Sequence, residues 1–159
     1  MEKPLSKTIT ALSWIALLLW MALIFSLSSQ PAVQSDHMSK GITEKIVEAQ
    51  GKDTQNTKEK ISILNESVRN NAHFFLYLVL GVLVLNAFRR VGYKGFVLAF
   101  LACILYAVSD ELHQIFVPGR GAELRDVLRD SAGAAIGVFL YNGTKGLVKL
   151  YRGDGRGDQ

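Results

Sequence analysis

The chain has 159 residues, of which 49% are hydrophobic and 20% charged, and its mean hydropathy is +0.20. This length excludes large multidomain enzymes and repeat arrays, and the apolar composition is typical of a membrane protein. A single cysteine excludes an internal disulfide. The chain has 18 Lys and Arg against 14 Asp and Glu, and because the basic residues do not cluster, a nucleic-acid partner is not predicted.

Four apolar segments predict four transmembrane helices. Residues 9–27 form a run of 19 without a charge, which matches the roughly 20 apolar residues that cross a bilayer core. Residues 72–88 form the second segment, whereas 95–109 and 131–144 reach spanning length only with neighbouring polar residues. A cleaved signal peptide is a poorer explanation of the first segment, because signal h-regions run about 7 to 15 residues. A soluble bundle is disfavoured because the runs are apolar on every face.

The distribution of basic residues predicts the orientation. A tight basic turn with Arg89, Arg90 and Lys94 separates the second and third segments, and positive residues concentrate in short cytoplasmic loops. We therefore expect a multi-pass plasma-membrane protein with both termini in the cytoplasm. The expected organisation is one four-helix transmembrane domain, residues 1–150, followed by a disordered cytoplasmic tail, residues 151–159.

The long segment 29–70 lies outside the membrane in this orientation. Apolar residues recur at helical spacing around 42–49 and again around 61–68, after a possible cap at Thr57. These patterns predict two short amphipathic helices, which would lie on the outer membrane surface or cover a cavity beneath it. A solvated helical hairpin is the alternative.

Polar residues of the predicted spans converge at the outer end, where ionisable groups in a membrane indicate a functional site. His73 and Tyr77 share one helix face, and Tyr106, Asp110 and either His113 or Gln114 share another. The predicted ligand-binding residues are Arg69, His73, Tyr77, Asp110, Glu111, His113, Gln114, Arg120, Asp126 and Asp130.

The fourth segment combines acids and glycines on one face. Asp126, Asp130, Gly133 and Gly137 follow a 4-3-4 spacing, and the two glycines would let a neighbouring backbone approach closely. The loop before this segment frames Arg120 with turn residues. Its guanidinium would bind a phosphate or carboxylate of a ligand, or would only neutralise the nearby acids.

These residues carry a resemblance to a known family. The motifs SSQP at 28–31, RNNAHFFLY at 69–77 and SDELHQIFVPGRGAELRDVLRDSAGAAIG at 109–137 closely resemble the VanZ-like family of integral membrane proteins. The resemblance implies a four-helix membrane protein, and for the family's namesake a role in low-level teicoplanin resistance, without implying a mechanism. The chain departs from the family pattern at Asn70, where Lys is frequent, and at Arg129, where an apolar residue is expected.

The first functional hypothesis is a cell-envelope protein whose outer pocket binds a lipid-linked or glycopeptide ligand through its anionic group. Arg69 and Arg120 would hold that group. The second is an intramembrane enzyme acting on a lipid or peptidoglycan-precursor headgroup by acid–base chemistry. Its candidate catalytic residues are His73, Asp110, Glu111 and His113.

Other readings of the same residues stay open. A metal-dependent enzyme would use His73, Asp110 and His113 as ligands. This spacing is only a weak indication of a metal site, so neither a metal nor another cofactor is predicted. Transport or proton relay is a third alternative, which a homo-oligomer would make easier. In the last alternative the polar cluster is only a structural network that locks the helices together.

Overall fold

The computed structural model describes residues 4–31, 57–89 and 92–153, with the backbone alone for 4–6, 57–70, 149–150 and 152–153. Within these ranges the regular secondary structure is entirely helical. The four helices described are α1 (Pro4–Ser28), α2 (Thr57–Phe88), α3 (Tyr93–Gln114) and α4 (Leu124–Gly153).

Three of these helices are long and apolar enough to cross a membrane. Their candidate spans are Lys7–Ser28, Asn71–Phe88 and Tyr93–Gln114, which confirms an all-α membrane protein with the first three predicted segments. Large apolar side chains such as Leu19 and Leu105 are 67% and 71% exposed. Exposure of this kind on helices α1 and α3 suits contact with lipid rather than water.

Helix α2 is longer than the second apolar segment. It begins at Thr57, where the sequence indicated a cap, and continues without a break to Phe88. The predicted second amphipathic helix is therefore the first part of α2 and not a separate element. No Gly or Pro interrupts residues 57–80, so nothing local ends the helix at the membrane boundary. The helix expected around 42–49 lies outside the described residues.

Helices α2 and α4 run in parallel and pack through glycines. A Cβ added at Gly133 would overlap the carbonyl oxygen of Phe74, and one added at Gly137 would overlap that of Leu78. Conversely, a Cβ added at Gly81 of α2 would overlap the carbonyl oxygen of Ala134 of α4. The predicted close approach along the Gly133–Gly137 face is thus confirmed, and its partner is α2.

Helix α3 runs antiparallel to α2 and completes a buried core with α1. Tyr77 and Tyr106 face each other across this core, with ring centroids 6.1 Å apart. Two side chains tie α1 to the others: Trp20 Nε1 donates to the carbonyl oxygen of Leu76 at 2.9 Å, and the Tyr106 hydroxyl donates to that of Met21 at 2.7 Å. These bonds fix the depth of α1 beside α2 and α3.

A second polar network marks the opposite end of the bundle. The α2–α3 turn contains Arg89 and Gly92 with φ of 51° and 91°, and Asn142 accepts from the Gly92 N–H at 2.8 Å. Nearby, the Tyr141 hydroxyl donates to Asn86 Oδ1 at 2.8 Å. The basic turn therefore lies at the end opposite to the predicted site. Helix α4 continues to Gly153, three residues beyond the predicted domain boundary at 150, and the rest of the tail is outside the described residues.

Candidate functional site

One end of the bundle holds a polar cavity of about 120 Å³. It lies between α2, α3, α4 and the loop that joins α3 to α4. Its walls are dominated by charged and amide side chains. They are formed by His73, Glu111, Gln114, Gly119, Arg120, Gly121, Glu123, Asp126 and Arg129.

Gln114, at the end of α3, organises one wall. Its Nε2 donates to Ser28 Oγ at 2.9 Å and lies 3.3 Å from Glu111 Oε1, and the side chain is nearly fully buried. Glu111 Oε2 accepts from the backbone N–H of Glu123 at 2.9 Å. The last turn of α3 is thereby fixed both to the end of α1 and to the segment that leads into α4.

Arg120 lies on the loop that closes the cavity. A turn positions it: the Arg120 N–H donates to the carbonyl oxygen of Val117 at 3.1 Å, and Gly119 has a φ of 75°, which a residue with a side chain rarely adopts. The second guanidinium at the cavity, on Arg129, pairs with Asp126 one turn earlier on α4. The cavity therefore combines an arginine positioned by a loop turn with an arginine positioned by a helical ion pair.

Three side chains meet at the inner end of the cavity, and we call them the buried triad: His73, Asp110 and Asp130. Each comes from a different helix, and one ligand atom from each lies within 4.8 Å of the others. His73 Nδ1 is 3.6 Å from Asp130 Oδ2. Asp110 and Asp130 are only 3% and 1% exposed, and they lie one helical turn inward from the wall residues Gln114 and Asp126.

Part of the buried triad has no hydrogen-bond partner among the described residues. The atoms without a partner are both carboxylate oxygens of Asp130 and the Oδ1 of Asp110. The hydroxyl of Tyr77, nearby, has none either. Buried polar atoms are satisfied in the great majority of native proteins, and exceptions mark strain, function or a missing ion or water. The buried triad is therefore a candidate site for an ion or a bound polar group.

Comparison with known proteins agrees with this architecture. A family model described as VanZ/LLP1 matches residues 13–148. The chain belongs to the VanZ/LLP1 family. The match includes part or all of each of the four helices and the whole cavity, which confirms the resemblance carried by the sequence motifs. No curated protein and no solved structure matches the chain.

The structure of this VanZ/LLP1 protein brings most of the predicted site residues together. The predicted residues that line the cavity are His73, Glu111, Gln114, Arg120 and Asp126, and Asp110 and Asp130 lie directly behind them. Helical spacing at the sequence level already placed them on common faces. They meet at one end of the bundle because α3 runs antiparallel to α2 and α4, so the last turn of α3 lies beside the first turn of α4.

Two predicted residues lie away from the cavity wall, and the side chain of a third is not described. His113 Nε2 is 3.1 Å from Ser29 Oγ, and its ring stacks near Phe25 at 4.4 Å, so it contacts the end of α1 rather than the cavity. Tyr77 is fully buried one turn below His73 and is not part of the cavity wall. The side chain of Arg69, on α2, lies outside the described residues.

Glu123 and Arg129 line the cavity but were not among the predicted site residues. Glu123 belongs to the irregular segment before α4, where no periodicity assigns a face. Arg129 follows Asp126 by three residues, a spacing at which opposite charges on a helix interact, so the sequence did carry a signal for its pairing. That signal indicated a salt bridge but not a position on the cavity wall.

The charges of the cavity and the buried triad do not balance. Five acids contribute, namely Glu111, Glu123, Asp126, Asp110 and Asp130, against the arginines Arg120 and Arg129 and the imidazole of His73. A buried carboxylate is normally paired with a cation, bound to a metal or neutral. Arg120 can hold an anionic group, and the buried carboxylates of Glu111, Asp110 and Asp130 are where a cation or a proton would balance the charge.

Proposed function

We propose that this VanZ/LLP1 protein is a plasma-membrane protein with four spans whose outer cavity binds the anionic headgroup of a lipid-linked ligand, and that it contributes in this way to teicoplanin-type glycopeptide tolerance. The observation that carries the proposal is the polar cavity with Arg120 at its wall. A guanidinium binds phosphate and carboxylate groups with two parallel hydrogen bonds. The sequence motif around Arg120 lies within the family match, and the teicoplanin link comes from the family's namesake.

Packing supports α4 as the fourth span. Contacts between α2 and α4 extend from the His73–Asp130 pair to the Asn86–Tyr141 hydrogen bond, and α2 carries a candidate span over that length. A helix that follows a spanning helix at contact distance lies at the same membrane depth. On its other side α4 exposes Phe139, at 69%, as expected for a face in contact with lipid.

The orientation follows from the two ends of the bundle. The basic α2–α3 turn with Arg89 lies at one end and the cavity at the other. Because positive residues concentrate on the cytoplasmic side, the cavity would open at the outer leaflet, with both termini in the cytoplasm.

The size of the cavity favours a headgroup over a whole antibiotic. Sites that enclose drug-sized molecules measure about 300–1,000 Å³, whereas this cavity measures about 120 Å³. It has room for a phosphate-sized group whose lipid chains extend between the helices. A glycopeptide would enter with one small anionic or polar group at most.

Binding of a lipid phosphate tests the proposal. Full-length protein in detergent would be incubated with phosphatidic acid or with diacylglycerol, its uncharged counterpart, and bound lipid would be counted by native mass spectrometry. We expect wild-type protein to prefer phosphatidic acid and Arg120→Ala to lose that preference by about 10- to 100-fold, the equivalent of one charge-assisted contact. Arg125→Ala is the matched control, because Arg125 is an exposed arginine of α4 outside the cavity wall.

The same variants connect the cavity to resistance. Cells that produce Arg120→Ala should lose teicoplanin tolerance while membrane abundance of the protein is unchanged, and cells that produce Arg125→Ala should keep it. Equal lipid preference and equal tolerance in the two variants would show that the cavity arginine does not bind the ligand.

An intramembrane enzyme is the second candidate, and the His73–Asp130 pair favours it. Asp130 Oδ2 lies 3.6 Å from Nδ1 of His73, and a small closure to hydrogen-bond distance would let it orient His73 as a general base that faces the cavity. The described residues offer no evident nucleophile there: Cys103 is fully buried in the apolar core, and Ser28 already accepts a hydrogen bond from Gln114. An enzyme would therefore activate water. A changed lipid or cell-wall precursor profile in producing cells, absent with His73→Ala, would favour this candidate over binding alone.

A further inference from the structure

The most unusual group in the described part of the chain is the carboxylate of Asp130. It is 1% exposed, and neither of its oxygens has a hydrogen-bond partner among the described residues. An isolated buried carboxylate is so costly that it is normally paired, metal-bound or neutral. The Nδ1 of His73 lies 3.6 Å from its Oδ2, which is longer than a hydrogen bond.

The geometry of the buried triad matches a metal site. Ligand atoms around a tetrahedral Zn²⁺ with bonds of about 2.0–2.1 Å are roughly 3.3–3.5 Å apart. The Nδ1 of His73 and the Oδ2 of Asp130 are 3.6 Å apart, which differs from this ideal distance by no more than about 0.3 Å. All three ligand atoms lie within 4.8 Å of one another. The terminal torsion of Asp110 is soft, so rotation of its carboxylate can move the ligand oxygen by about an ångström towards the other two.

Attachment of the ligands to three helices favours a defined site. His73 comes from α2, Asp110 from α3 and Asp130 from α4, and the glycine contacts fix the distance between α2 and α4 just below them. Rigid elements of this kind hold ligand atoms more accurately than loops do. Gln114 Nε2, 3.4 Å from Asp110 Oδ2, would orient the second carboxylate from outside the ligand set.

Charge gives an independent argument. The cavity and the buried triad contain more acids than arginines, and a divalent cation would supply the missing positive charge at the position of the unpartnered carboxylates. Without such a cation, an anionic headgroup at Arg120 would lie close to several carboxylates. With it, the charges of Asp110 and Asp130 are neutralised by the metal, and a headgroup at Arg120 meets less repulsion.

The geometry points to a divalent transition-metal site formed by His73, Asp110 and Asp130, with a fourth coordination position open to the cavity. An imidazole with two carboxylates is a donor set for Zn²⁺ or Mn²⁺ rather than for Ca²⁺ or Mg²⁺, which prefer oxygen ligands alone. Three protein ligands with one open position are typical of zinc sites that bind water or substrate. The site goes beyond the proposed headgroup binding and does not depend on it.

The test uses Zn²⁺ alone as the probe. Full-length protein in lipid nanodiscs is stripped with EDTA, dialysed, titrated with ZnCl₂ and analysed for bound metal. We expect one Zn²⁺ per chain. His73→Ala and Asp130→Asn should each weaken binding by more than the roughly 10- to 100-fold that loss of an outer-shell partner costs.

His113→Ala and Asp126→Asn are matched controls that should keep wild-type stoichiometry. Each removes the same residue type near the same end of the bundle, but His113 contacts Ser29 and Asp126 pairs with Arg129. CoCl₂ gives a second readout on wild-type protein, since four-coordinate Co²⁺ absorbs visible light far more strongly, and at longer wavelength, than hydrated Co²⁺ in solution. This readout decides the question even if the triad variants do not fold.

Two results would overturn the metal site: wild-type protein that binds no Zn²⁺ and shows no cobalt spectrum, or Asp130→Asn protein that binds Zn²⁺ as wild-type does. The lipid assay with Arg120→Ala, carried out in EDTA, separates this outcome from failure of the proposed function. If the protein prefers the charged lipid but binds no metal, the proposed headgroup binding stands and the metal site is rejected. If it binds metal but shows no lipid preference, the metal site stands and the proposed headgroup binding is rejected.

Discussion

Alanine at Gly137 should push α4 away from α2. The added Cβ would overlap the carbonyl oxygen of Leu78, and a backbone atom cannot rotate aside as a flexible side chain can. The helices must therefore separate or one of them must bend. Gly143 offers a control in the same helix, because a Cβ added there meets nothing within 4 Å.

The expected magnitude follows from the difference between these two variants. Replacing a helical glycine by alanine stabilises a helix by about 1 kcal/mol through backbone propensity, and this gain applies to both positions. Insertion of a methyl group into a tightly packed contact costs about 1–3 kcal/mol. Because the propensity gain cancels, Gly137→Ala should be about 1–3 kcal/mol less stable than Gly143→Ala.

Thermal unfolding of the two detergent-purified variants, followed by tryptophan fluorescence, measures this difference. Gly133→Ala, whose Cβ would overlap the Phe74 carbonyl oxygen, should behave like Gly137→Ala. It should also weaken Zn²⁺ binding, because Asp130 lies just one turn before Gly133. If Gly137→Ala is as stable as Gly143→Ala, the helices are not held at contact distance by the glycines, and this account of how the site is positioned is refuted.

Two further predictions concern the outer end and the orientation. Ser28→Ala should destabilise the protein by about 1–3 kcal/mol, because it leaves the buried amide of Gln114 without this acceptor; the exposed Ser26→Ala is the control in the same thermal assay, and equal stability would contradict the role of the bond. An impermeant thiol reagent should label Gly121→Cys but not Gly146→Cys in intact cells, since the only native cysteine is buried, and the reverse pattern would invert the orientation.

Local periodicity accounts for what the sequence predicted well. Spacings of three and four residues placed Asp126, Asp130, Gly133 and Gly137 on one face of α4, and the structure has this face against α2. The same logic placed Tyr77 below His73. These are properties of a single helix, so one sequence is enough to determine them.

Relations between helices account for what the sequence left open. His113 and Gln114 both follow Asp110 at helical spacing, and only the rotation of α3 against α1 places Gln114 at the cavity and His113 beside Ser29. The place of Glu123 depends on the path of an irregular segment. Both features arise from contacts between distant parts of the chain. Such contacts cannot be predicted from the spacing of residues within one helix.

The two parts of the site are held in different ways, and this difference suggests a division of roles. The buried triad is attached to three helices whose separation the glycine contacts set, so its geometry is rigid. Arg120 and Glu123 lie on the connection between α3 and α4, outside any helix. Substitutions on a connection of this kind change the cavity wall without moving the triad. The triad is thus suited to a constant chemical task, such as holding a cation, and the connection to the choice of headgroup.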